Sequence, residues 1–123
     1  MKTILILEDE EKVRKLYAQL LREEGYEVLE ARDCARASDL LNKKQIDLIL
    51  LDIKLPVVYG SILYEFMKTF HKDVKVIVSS VYPLDEQRRI VRGASDYFDK
   101  SHGTETLLGK IKRALPVEGP APA

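Results

Sequence analysis

The chain has 123 residues, enough for one domain whose hydrophobic core needs no disulfide or metal staple. Its 46% hydrophobic and 33% charged content is ordinary for a soluble globular protein, and 20 basic residues balance 20 acidic ones, so no net field recruits nucleic acid or an anionic membrane. The lone cysteine, Cys34, excludes an internal disulfide; no run approaches the ~18–20 apolar residues of a membrane span, and Met1–Leu7 meets Glu8 too early for a signal peptide. The expectation is a soluble, cytoplasmic domain.

Thr3–Leu7 (TILIL) reads as a first strand and ends abruptly in the acidic run Glu8–Glu11. From Glu10 to Glu24, Val13, Leu16, Tyr17, Leu20 and Leu21 recur at helical spacing, and Gly25 stops the helix. Tyr26–Glu30 is a second strand. Asp33 is the expected N-cap of a helix through Lys44, with Ala37, Leu40 and Leu41 facing inward and Cys34 as a small, partly buried side chain. Asp47–Leu51 (DLILL) is the most apolar strand, which predicts a central place with both faces covered. A loop with Pro56 and Gly60 leads to a helix from about Ser61 to His71, then Val74–Ser79 forms a fourth strand. Pro83 opens a fourth helix to Arg92, closed by Gly93; Ser95–Phe98 is a fifth strand and Thr104–Leu115 a fifth helix.

Strands alternating with helices predict an α/β fold around a parallel sheet. With right-handed crossovers, five units of this size favour a flavodoxin-like (βα)5 three-layer sandwich with strand order 2-1-3-4-5. Ligands in such sheets sit beyond the carboxyl ends of the strands. Those ends carry Glu8 and Asp9 after the first strand, Asp52 after the third, Ser80 after the fourth and Lys100 after the fifth.

Singly, each of these residues has an ordinary structural explanation: an acidic helix start, a loop aspartate, a turn serine, a solvated lysine. Together they are three carboxylates in one crevice, which repel one another unless a hard cation neutralises them. Few protein ligands with open positions suit Mg²⁺, with Mn²⁺ as a substitute. A carboxylate beside such an ion is a competent nucleophile toward phosphorus, while a hydroxyl and an ammonium can meet the phosphoryl oxygens. The residues therefore point to metal-assisted phosphoryl transfer to Asp52.

At these positions the chain resembles the response-regulator receiver domains of two-component signalling. The resemblance runs from about Lys2 to Leu115 and rests on four stations. They are Ile4-Leu5-Ile6-Leu7-Glu8-Asp9-Glu10; Asp47-Leu48-Ile49-Leu50-Leu51-Asp52 with Leu55-Pro56 and Gly60; Val76-Ile77-Val78-Ser79-Ser80; and Gly93-Ala94-Ser95-Asp96-Tyr97-Phe98-Asp99-Lys100. It implies that Asp52 is the phosphoacceptor, with Glu8, Asp9, Asp52 and the backbone carbonyl of Lys54 around the metal. Asp9 is then the more direct ligand, and Glu8 acts largely through water. Ser80 is the implied switch hydroxyl, Lys100 the site lysine, and Tyr97 the aromatic whose rotamer follows the switch. Tyr97 also reads simply as a half-buried strand aromatic.

The implied protein is not a conventional enzyme, though it catalyses its own phosphorylation and dephosphorylation. The implied phosphodonor partner is a sensor histidine kinase or phosphotransfer protein. The implied readout is the face of the fourth helix, fifth strand and fifth helix, where family members dimerise or bind partners. Arg88, Arg89, Arg92, Lys110 and Arg113 make parts of that face basic, as a solvated surface also would. No direct nucleic-acid binding is expected.

Three departures from the family pattern stand out. Ser101 follows Lys100 where most receivers carry proline, so a trans bond is expected there. Val81 stands where alanine is common and narrows the approach of phosphodonors and water. Lys54 and Tyr82 occupy positions that tune dephosphorylation, and a cation and a ring there predict a long-lived phosphoryl state. A haloacid-dehalogenase-like phosphatase is disfavoured because Lys54 replaces its second aspartate, and a flavin-binding fold because Glu8–Glu11 would repel phosphate. The remaining alternative is a pseudo-receiver, an interaction module regulated by binding alone. Residues 1–115 are expected to form the receiver domain. Pro116–Ala123 (PVEGPAPA) reads as a tail, or as the start of a linker to an output domain.

Overall fold

The computed structural model of the chain describes residues 1–53 and 58–117, the side chains of 58–61 excepted. Five strands, β1 (Thr3–Leu7), β2 (Glu27–Ala31), β3 (Leu48–Asp52), β4 (Lys75–Ser80) and β5 (Asp96–Asp99), alternate with five helices. The helices are α1 (Glu11–Glu23), α2 (Cys34–Lys43), α3 (Val58–Phe70), α4 (Leu84–Ile90) and α5 (Thr104–Ala114), and a 3₁₀ turn, Lys100–His102, precedes α5. All four strand pairings are parallel and the order is β2-β1-β3-β4-β5, the flavodoxin-like arrangement expected from the sequence.

The alternation of strand side chains builds two cores. On one face Leu5, Leu7, Ile49, Leu51, Val76 and Val78 meet α2, α3 and the α4 region. On the other, Ile4, Ile6, Leu48, Leu50, Ile77 and Phe98 meet α1 and α5. In β3, Leu48, Ile49, Leu50 and Leu51 are all buried, each contributing about 1.5–3 kcal/mol of apolar transfer. That explains both the unbroken apolar run and its central position.

Helix ends follow local chemistry where a cap exists. The Asp33 side chain accepts the Arg36 N–H at 2.8 Å, making it the N-cap of α2, and Ala37, Leu40 and Leu41 are buried as expected. Gly25 takes φ +96° after α1, a conformation that β-carbon sterics disfavour in other residues.

Elsewhere tertiary packing moves the boundaries. Leu16, although at helical spacing, is 47% exposed; the buried stripe of α1 is Arg14, Tyr17, Ala18 and Leu21. The second strand starts one residue later than expected, because the Tyr26 N–H bonds Leu21 O at the end of α1 (3.2 Å); the Tyr26 hydroxyl donates to Leu115 O at 2.5 Å. The third helix begins at Val58, so Gly60 lies inside it and not in a loop; burial of Leu63, Tyr64 and Met67 overrides the low local propensity. Pro56 and the Lys54 carbonyl lie outside the described residues. The fourth helix ends at Ile90, two residues short of expectation, because Val91 turns extended (φ −124°) and buries itself in the core. No helix among the described residues is long and apolar enough to cross a membrane.

Candidate phosphoacceptor site

Parallel strands bring every strand's carboxyl end to one edge, so residues far apart in sequence meet there. Asp52 and Ser80 are the last residues of β3 and β4, one position inside the strands and not just beyond them. The ladder pairs Asp52 with Ser79, which sets Ser80 at the neighbouring strand end. Glu8 follows β1 and is 2% exposed, whereas Asp9 is exposed. One oxygen from each of Glu8, Asp9 and Asp52 lies within 4.8 Å of the others, a carboxylate set that fits a hard divalent cation.

Lys100 occupies the middle of this charge. Its Nζ lies 2.6 Å from Glu8 Oε1 and 2.9 Å from Asp52 Oδ1. Burial alone would depress the Lys100 pKa, but hydrogen bonds and attraction from Glu8 and Asp52 overcome it and raise the value. Burial pushes the Asp52 carboxyl up to about 6; the Lys100 ammonium opposes this and the Glu8 charge adds to it. A carboxylate held this reluctantly ionised gains from any further positive charge brought beside it.

Arg14, absent from the sequence reading of the site, anchors the acidic corner. Its Nη1 donates to the Glu8 carbonyl at 3.0 Å and its Nε to Glu30 Oε1 at 3.2 Å. Glu30 is held well ionised: burial works against this, but Lys15, Arg14 and Arg22 together lower its pKa. The signal was present in the spacing, since position 14 shares the helical face of 17, 18 and 21.

The switch candidates are committed elsewhere in this arrangement. Ser80 is fully buried; its Oγ donates to Ile53 O at 2.9 Å and accepts the Tyr82 N–H at 3.1 Å. Tyr97 is buried, its hydroxyl donating to Val91 O at 2.6 Å and accepting from Ala94 N at 3.2 Å, with the Arg88 guanidinium 5.5 Å from its ring centre. Ser101 uses a donor that proline lacks: its N–H and its hydroxyl both donate to Asp99 Oδ1, at 2.9 and 2.7 Å. That turn fixes the backbone on either side of Lys100. Val81 is exposed at the rim, while the Tyr82 ring packs against the apolar cluster between sheet and α3.

The carboxyl edge of this doubly wound sheet thus carries an acidic triad and a bridging lysine. In comparison with known proteins, residues 4–112 match the response regulator receiver domain. The chain belongs to that family. It is 29% identical over 119 residues to sporulation initiation phosphotransferase F of Bacillus subtilis, covering 94% of each chain. The response regulator TrrA of Thermotoga maritima, crystallised in complex with Mg²⁺-BeF, superposes with a TM-score of 0.79 at 30% identity, over 94% of this chain and all of that one. The same regulator has been crystallised in complex with the histidine kinase ThkA, where it matches with a TM-score of 0.78 at 30% identity, over 94% of this chain and 99% of that one.

Proposed function

We propose that this domain is a cytoplasmic, phosphorylation-dependent switch in which Asp52 accepts a phosphoryl group from a histidine of a sensor kinase or phosphotransfer protein. The observation that carries this reading is the Lys100 ammonium seated between Glu8 and Asp52 beside the three-carboxylate cluster. An Asp52 oxygen attacks phosphorus, the donor's P–N bond breaks, and its electron pair stays on the imidazole, which takes up a proton. Glu8, Asp9 and Asp52 would hold Mg²⁺, or Mn²⁺ in its place, with the Lys54 carbonyl as a further ligand. The ion supplies charge neutralisation at the transferring group. Lys100 turns its ammonium from Glu8 toward a phosphoryl oxygen, and Ser80 exchanges its bond to Ile53 O for another.

Phosphorylation adds roughly −1.5 to −2 charges and three acceptor oxygens. Contacts made by Ser80 and Lys100 only in the loaded state bias the ends of β4 and β5 together, and Tyr97 follows. The signal then leaves through the face of α4, β5 and α5, either by homodimerisation or toward an output domain after residue 116. TrrA's complex with ThkA supports a histidine kinase as partner.

The test is incubation with Mg²⁺ and a small acyl phosphate, followed by intact mass. One added phosphate in the wild type and none in Asp52→Asn is the expected result. No addition, together with failure to bind Mg²⁺, would favour the pseudo-receiver.

A further inference from the structure

One side chain joins the segment after Ser80 to the segment before Lys100. Gln87 of α4 is fully buried, and its amide nitrogen spends both hydrogens on backbone carbonyls: Tyr82 O at 2.8 Å and Phe98 O at 2.9 Å. Tyr82 lies two residues beyond Ser80, and Phe98 lies between Tyr97 and Lys100. β5 is an edge strand, where carbonyls on the open side have no neighbouring strand to bond. Gln87 supplies that missing donor. The amide can be assigned by chemistry, because a flipped group would set its oxygen against two carbonyl oxygens. In the assigned orientation Oε1 is buried without a hydrogen-bond partner among the described residues. The side chain is thus held for its two donors, against the cost of an unmet acceptor.

We propose that Gln87 is a positioning residue that makes the β4–α4 loop and β5 move as one body. The proposal rests on the phosphorylation-switch reading. Ser80 Oγ accepts the Tyr82 N–H, so a turn of Ser80 toward a phosphoryl oxygen on Asp52 draws the Tyr82 backbone with it. The Tyr82 carbonyl sits on the Gln87 amide, and the same amide holds Phe98. Tyr97, next in the strand and bonded to Val91 just after α4, is displaced in turn. The link joins residues 82 and 98 through one side chain of the helix that lies between them in sequence.

The experiment is nuclear magnetic resonance on the full chain, titrated with Mg²⁺ and beryllofluoride as a phosphoryl mimic, in wild type and in Gln87→Met. Methionine keeps length and flexibility but donates nothing. In wild type, signals of Ser80 and of residues 96–99 shift together on loading. In Gln87→Met, Ser80 still shifts while Tyr97 and its strand lose most of their response. Equal Tyr97 responses in both proteins would overturn the proposal, since a purely structural glutamine changes stability and not coupling. Should the variant fail to fold, the wild-type Gln87 side-chain NH₂ signals decide. They are expected to resist solvent exchange and to shift with Tyr97, and fixed signals beside a moving Tyr97 would refute the link. If wild type responds nowhere, the phosphorylation reading itself fails and takes this proposal with it.

Discussion

Lys100 and Glu8, 92 residues apart, share the shortest side-chain contact of the acidic site, 2.6 Å between Nζ and Oε1. Glu8 is nearly inaccessible, and its charge is tolerable there because the ammonium is present. The same ammonium touches Asp52, so one cation balances two carboxylates and can be displaced from them when a more highly charged cation arrives.

Replacing Lys100 by alanine therefore exposes the conflict. Breaking a fully buried ion pair costs about 3–5 kcal/mol, and solvent access at this edge reduces the expected loss to about 1–3 kcal/mol. Urea denaturation of Lys100→Ala should show that loss without divalent ions, and Mg²⁺ should restore more stability to the variant than to the wild type. Equal stabilities in the absence of the ion would sink this view of Lys100.

Asp52 gives a pH dependence of definite sign. Its folded-state pKa of about 6 lies above the ordinary 3.8, so the folded protein binds the extra proton between these values. Stability from this group is present below about pH 4 and is lost as pH rises through about 6. Asp52→Asn removes the effect. Thermal unfolding in chelator should place the variant above wild type near neutral pH, with the two curves converging at about pH 4. A variant less stable than wild type at neutral pH would contradict the assignment.

Phosphoryl lifetime is the property expected to depend on Tyr82. Its N–H is bonded to the Ser80 hydroxyl, so the residue adjoins the switch, and its partly buried ring forms part of the apolar wall there. Tyr82→Ala opens that wall to water, and loss of phosphate from Asp52 should quicken several-fold, as followed by intact mass against time. An unchanged decay rate would remove Tyr82 from the account.

The Asp33 cap lies at the same edge of the sheet but bonds Arg36 and Arg32, not the acidic triad, and serves as a control. Asp33→Ala should cost about 1 kcal/mol, lowering Tm by about 3–6 °C for a domain of this size, with phosphorylation unaffected. A loss of phosphorylation instead would show that α2 is coupled to the site.

Much of the site was legible in one dimension. A parallel sheet delivers the residue at each strand's carboxyl end to the same edge, so Glu8, Asp9, Asp52, Ser80 and Lys100 could be collected without coordinates. The apolar run 48–51 announced the central strand, and Asp33 announced its helix, because burial on both faces and capping are read from neighbouring residues. The end of α4 was misjudged because Val91 leaves the helix to enter the core, a choice made by packing.

Local chemistry in the sequence thus determined the fold class and the roster of site residues. Tertiary structure alone decided which partners those residues have. Lys100 bridges Glu8 and Asp52, Ser80 bonds Ile53, Tyr97 turns toward Val91, Arg14 holds Glu8, and Gln87 joins Tyr82 to Phe98. The physical reason is that hydrogen bonds and ion pairs act over about 3–4 Å. Most of these contacts cross between elements that only the folded sheet and its helices bring within that distance.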